Sequence, residues 1–249
     1  MMATVPEKYL HGYEAAYQME KKRVDESQRS SQGYFKGLVS GLYLLVRYPY
    51  VLGIFGMIFF WEIVNVIFNY LRLGIGQAST ESVAGFSVFL YQQAFFTHLV
   101  GLVFVLIGTR VLIGWLGERK SLIAIPLLTG ISIACYLAVQ SMFAATLTYI
   151  MIRAINYSFA YPLRESLYIP TSKAMKFKSK SWIDGFGSKL SKGVGSYYNI
   201  FIQGIAASAM FSVNIAFFGI IIVLWSLMAH LLGRRFERAV KNNEVIGSE

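Results

Sequence analysis

Residues 49–71 read PYVLGIFGMIFFWEIVNVIFNYL, a run of 23 positions in which Glu62 is the one side chain charged at neutral pH. Wound as an α-helix it would rise about 35 Å, enough to cross a hydrocarbon layer about 30 Å thick. A helix apolar on every side belongs either to the centre of a large soluble protein or to a membrane. The composition decides between them. The chain has 249 residues, 55% hydrophobic and 14% charged, whereas soluble domains carry about 25% charged residues. A soluble fold of this length would need far more polar surface to cover its core. The expected class is an all-α integral membrane protein.

Working outward, residues 38–46 are apolar but too short to span, and Arg47 closes them. They read as an interfacial helix leading into the first span at Pro49, since proline is tolerated at a helix start. Residues 1–37 form a polar lead-in or linker, dense in charge from Glu14 to Arg29, and without the pattern of a cleaved signal peptide. Beyond residue 71 the hydropathy predicts five more spans. The second starts near 82 and continues past 109, and the third, 122–139, contains Pro126. The fourth is 142–161, the fifth 193–213 and the sixth 215–232, the last two divided by a weak dip at 212–214. A tail, 234–249, follows. The expectation is a six-transmembrane-helix bundle over 38–233.

The basic residues predict its orientation. Of the 23 lysines and arginines, 21 fall before the first span, in the second-to-third connection, in the fourth-to-fifth connection and in the tail. Arg72 alone falls on the other side, and Arg153 lies inside a span. Such asymmetry marks the cytoplasmic face, so both termini are expected there. The +10 net charge then reports topology rather than nucleic-acid binding, and the run Lys173 to Lys180 could also meet anionic lipid.

Inside the spans, ionisable groups point to function by default. Glu62, Asn65 and Asn69 share one helical face, and Asn156 follows Arg153 by one turn. One reading is a polar solute pathway, and the other is a structural Glu62–Arg153 ion pair. Catalytic and metal chemistry find little support. Cys135 is a lone cysteine, and His11, His98 and His230 are scattered without ligand spacing. Gly185, Gly187, Gly193 and Gly195 do not form a Walker loop. No enzymatic activity and no cofactor are expected. The small residues from Gly193 through Ala209 read as close helix contacts in lipid.

The most particular stretch is 157–196, YSFAYPLRESLYIPTSKAMKFKSKSWIDGFGSKLSKGVGS. Its succession Pro-x-Arg-Glu-x-x-Tyr-Ile-Pro, Lys-x-Lys-x-Lys, Trp-Ile-Asp and Gly-Ser-Lys resembles the ADP/ATP translocase (TLC) family of plastids and obligate intracellular bacteria. The turn 110–120 also looks like the cytoplasmic motif of major facilitator transporters. The resemblance runs from about Gly37 through the sixth span and covers only the C-terminal half of a typical member. It implies one six-helix half of a major-facilitator-like exchanger in a bacterial inner membrane. It also implies that Arg153 falls on a basic position of nucleotide exchangers, Arg164-Glu165 on a basic-acidic pair, and Lys176, Lys178, Lys180 and Asp184 on matching polar positions. Asn69, Asn156 and Tyr161 depart from the family's glutamate, lysine and aspartate.

The resulting expectation is half of a secondary transporter for an anionic, nucleotide-like solute. Arg153, Asn156, Glu62, Asn65 and Asn69 would line the substrate path. Arg164, Glu165, Lys176, Lys178, Lys180 and Asp184 would form a cytoplasmic gate. Its partners would be membrane lipid, the nucleotide, and a second six-helix half, either another copy or a separate chain. The competing reading is a non-transporting membrane subunit or a truncated fragment of the same family.

Overall fold

The computed structural model describes residues 31–247. Among them the chain is helical almost throughout, and its only β feature is an isolated bridge between Thr171 and Ile246. Helix α1, Ser31–Arg47, ends on a basic residue that suits its negative C-terminal dipole. Tyr48 then breaks the helix in extended conformation, and α2, Pro49–Ala78, starts on proline. Helix α3, Val83–Val103, is capped by Ser82, whose hydroxyl oxygen accepts from the Gly85 amide. It continues through a π-helical turn, Phe104–Gly108, into α4, Thr109–Val139. Gly117 breaks α4 at φ 70°, where a side-chain-free residue meets no Cβ penalty. The basic turn expected between the second and third spans therefore pivots on one glycine, and the helix continues through Pro126 beyond it.

Helix α5, Met142–Ile155, is capped by Ser141 and runs through a π turn, Asn156–Ala160, into α6, Tyr161–Ser166. Helix α7, Lys173–Trp182, passes through a third π turn, Ile183–Gly187, into α8, Ser188–Gln203. The last helix, α9, is Ala207–Lys241. The break between α8 and α9 thus lies at 204–206, not at the expected dip of 212–214. Gly204 ends α8, whereas the amide of Asn214 accepts a hydrogen bond from the Tyr198 hydroxyl at 2.7 Å. With that polar group satisfied across the two helices, no turn is required at Asn214.

Among the described residues four helices are long and apolar enough to cross a membrane: Pro49–Ala78, Val83–Leu106, Leu116–Val139 and Ser208–Lys241. The other two expected spans correspond to α5 and α8. These have 14 and 16 residues before a π turn or a break interrupts them. Helical structure also reaches past the expected bundle limits, back to Ser31 and on to Lys241. The charge-dense part of the lead-in lies outside the described residues.

Helix α2 is the central post, touching α1, α5, α8 and α9. Val51, Ile54 and Val64 are fully buried along it. Helix α9 packs on α4 and α2, and α3 packs on α5. Their outer faces leave Tyr91, Phe95 and Val223 exposed, an apolar surface suited to lipid. At one end of the bundle the Tyr50 hydroxyl donates to the Leu167 carbonyl, Arg119 pairs with Glu237, and the Ile246 amide donates to Pro170. Those contacts gather the start of α2, the α4 break, the end of α6 and the end of α9. Basic segments far apart in sequence therefore meet at one end.

Candidate functional site

Two polar layers lie along α2. Glu62 and Arg72 are ten residues apart, about 15 Å of helical rise. The layer nearer the basic end is built on Glu62, which is 6% exposed. Its Oε1 accepts from the Ser188 hydroxyl at 2.7 Å and lies 3.5 Å from Lys192 Nζ, both on α8. Its Oε2 is buried without a partner, as are Trp61 Nε1 and Asn65 Oδ1 on the same stretch of α2. Asn156 is brought into this layer by the π turn. Its Oδ1 accepts from Arg164 Nη2 at 3.3 Å, and the Arg164 guanidinium sits 5.8 Å from the Trp61 ring. The ion pair considered from sequence, Glu62 with Arg153, does not form. Glu62 takes its cation from α8, because α2 lies directly against that helix.

The second layer gathers Arg153 with residues the sequence reading set apart. Arg153 Nη1 donates to the Tyr157 hydroxyl at 3.3 Å, and its guanidinium lies 5.2 Å from the centre of the Tyr149 ring. Arg72 lies 4.3 Å from the centre of that same ring. It donates to Asn69 Oδ1 at 2.9 Å and to Gln93 Oε1 at 3.3 Å, and the Gln93 amide donates to Thr146. Among the described residues, the side chains that these hydrogen bonds and ring contacts bring to the two arginines are neutral or aromatic, and both Nε atoms are buried without an acceptor. Two cations sharing one ring in a low-dielectric setting repel unless an anion joins them. The arrangement is therefore suited to bind an anion with several acceptor oxygens, since each guanidinium offers a planar fork of donors.

Arg72 escaped the sequence reading because a basic residue near a span end reads as a topology marker. One signal was available: it follows Asn69 by three and Asn65 by seven positions, on the same helical face. Of the residues expected to line the path, Asn69 and Arg153 fall in this layer, while Glu62, Asn65 and Asn156 fall in the other.

The expected gate residues separate as well. Glu165 accepts from Lys180 Nζ at 2.5 Å, tying α6 to α7. Arg164 turns inward to Asn156 rather than pairing with Glu165. Asp184 stands near Lys180, Arg164 and Glu165. Partial burial pushes its carboxyl above the usual carboxylate range, while Lys180 and Arg164 oppose that shift. Lys178 is exposed and Lys176 half-buried. The hydrogen bond to Glu165 raises Lys180 above the ordinary lysine value of 10.5. A raised lysine contributes stability that is fully present below its unfolded value and is lost as pH climbs through the folded one. Spin labels on α6 and α7 should therefore keep their separation up to the ordinary lysine value of 10.5 and part only as the pH climbs beyond it. Separation already lost at neutral pH in a Lys180→Met variant is the matching expected result.

The family model described as TLC ATP/ADP transporter matches residues 95–236. The chain is also 22% identical over 185 residues to ADP,ATP carrier protein 1 of Rickettsia prowazekii (strain Madrid E). That alignment covers 64% of this chain and 37% of the relative, so this chain spans well under half of the relative's length. No solved structure matches.

Proposed function

Because this chain belongs to the TLC ATP/ADP transporter family, whose model covers more than half of it, we propose that it carries the phosphate-binding wall of a nucleotide transporter. The observation that supports this reading is the pair Arg72 and Arg153 on the Tyr149 ring, with no carboxylate bonded to either among the described residues. Phosphate oxygens would supply the missing acceptors. Asn69 and Gln93 hold Arg72 in place, so the fork is preorganised rather than assembled on binding.

In this proposal six helices, α5 and α8 included as spans, make one half of a major-facilitator-like fold. A second six-helix half completes the cavity, and rocking of the two halves gives alternating access to a site near the midplane. The end carrying Arg47, Arg119 and Arg235 faces the cytoplasm. Arg164, Asn156 and the Glu62–Lys192 pair line the route from that side. Glu62 organises Lys192 beside that route.

Labelled ATP and ADP should bind the purified chain, with unlabelled nucleotides competing in order of phosphate number. Accumulation in vesicles should require a second half, seen as a dimer mass or as a co-purifying chain. A strict monomer that binds no nucleotide would overturn the proposal and leave the non-transporting subunit as the better reading.

A further inference from the structure

Three polar atoms close together on α2 are buried without a hydrogen-bond partner among the described residues: Trp61 Nε1, Glu62 Oε2 and Asn65 Oδ1. Asn65 follows Glu62 by three positions and Trp61 by four. Side chains at those spacings are neighbours on a helix surface, about 5–6 Å apart at Cβ. A buried donor or acceptor left unmade is costly, and Glu62 is only 6% exposed. Three such atoms side by side mark a place where a ligand bonds. The place is not sealed, because Trp61 and Asn65 are half-buried and the Lys192 side chain beside Glu62 is 51% exposed.

The chemistry of the three atoms restricts the occupant. A carboxylate oxygen and an amide oxygen only accept, and an indole N–H only donates. The missing group must therefore donate twice and accept once. A metal cation could meet the two oxygens but not the indole. Lys192 Nζ, 3.5 Å from Glu62, already balances that carboxylate, and the Arg164 guanidinium lies 5.8 Å from the Trp61 ring. An anion could meet the indole but would be repelled by Glu62. An amine donates twice and accepts nothing. Two hydroxyls on adjacent carbons satisfy all three atoms, since each donates one hydrogen and keeps lone pairs to accept.

Taking the nucleotide reading of this chain as given, we propose that Trp61, Glu62 and Asn65 hold the adjacent hydroxyls of the ribose. Glu62 Oε2 and Asn65 Oδ1 accept one hydrogen each, and the indole donates to a hydroxyl oxygen. An acidic side chain reads a ribose hydroxyl in the same way in dinucleotide-binding folds. The register agrees. Asn65 stands seven residues before Arg72, about 10 Å of helical rise. That stretch is left for the 5′ carbon and the phosphate chain to reach the two arginines. One helix thus reads the sugar at one level and the phosphates at the next.

Equilibrium binding of ATP, 2′,3′-dideoxy-ATP, inosine triphosphate and inorganic triphosphate to the full-length chain tests the assignment. ATP should bind more tightly than its dideoxy analogue by about tenfold or more, the effect of one lost bond to a charged group. Inosine triphosphate, which keeps both hydroxyls and lacks the base amine, should bind like ATP. Glu62→Gln and Asn65→Ala should each lower the ratio of ATP to dideoxy-ATP affinity, by about threefold or more. Asn65→Ala leaves the Glu62–Lys192 pair in place, so its effect on the ratio does not depend on that pair. Trp61→Phe keeps a ring there and should lower the ratio as well. Equal affinity for ATP and dideoxy-ATP in the unmodified chain would overturn the ribose assignment. So would discrimination against inosine triphosphate instead, or a ratio unmoved in both Glu62→Gln and Asn65→Ala. Inorganic triphosphate reports on the arginines separately. If it binds while the two nucleotides are not distinguished, only the ribose assignment fails; if neither it nor ATP binds, the phosphate reading fails too.

Discussion

Arg72→Gln is expected to abolish concentrative uptake of labelled nucleotide while leaving the folded protein as stable as before or more so. The two halves of that expectation come from the same contact. Arg72 and Arg153 share the Tyr149 ring, so removing one relieves a like-charge repulsion inside the bundle. It also removes one of the two cationic forks proposed to hold the phosphates. Hydrogen bonds to a charged group contribute about 1.5–3 kcal/mol each, so binding should fall by roughly 10- to 150-fold for each bond lost. Arg153→Gln should do the same, and the double variant should add little once the anion has no fork. Arg72→Lys keeps the charge but not the fork, and is expected to fall between the two. A structural role predicts the reverse pattern, with a lowered melting temperature and intact uptake. Measuring uptake and thermal unfolding on the same preparations separates the two.

Gly195→Leu should be among the most destabilising single changes in the chain. Gly195 is buried where α8 crosses α2, and a Cβ there would lie 3.1 Å from the Ile63 carbonyl oxygen and 3.1 Å from Val66 Cβ. The first of these is backbone in the middle of a long helix and cannot swing aside. Alanine already asks the helices to part by a few tenths of an ångström, and leucine asks for much more. Overpacking of this kind costs about 1–3 kcal/mol where neighbours can adjust, and here the upper end is expected, about 3 kcal/mol. The same move would draw Ser188 and Lys192 away from Glu62. Gly193→Leu is the control: nothing lies within 4 Å of a Cβ at that position, so it should melt with the unmodified protein. Equal melting of both variants would mean that α2 and α8 are not in the close contact described.

What could be read from the sequence follows from which forces act locally. Hydropathy is a sum along the chain, so the central run at 49–71, the membrane class and the helical content were all legible before any coordinate. The positive-charge asymmetry depends only on which connection a lysine or arginine occupies, and those connections do meet at one end through Tyr50, Arg119 and Ile246. The Pro-x-Arg-Glu motif and its lysine run identified the family because they are contiguous.

Pairings between helices were not legible, because they depend on rotation and tilt that no periodicity specifies. Glu62 and Arg153 were the two charges within spans, and scarcity alone made them natural partners. The fold instead gives Glu62 a lysine from α8 and sets Arg153 beside Arg72, which the sequence had assigned to an outer loop. Likewise Asn214 looked like a turn until Tyr198 was found across from it. The linear chain thus determined the solvent around the helices and their family, since each is fixed by side-chain transfer energy and local order. Only tertiary structure decided which buried polar groups face one another, because that choice is made by whole helices settling against α2, each carrying its charges along with it.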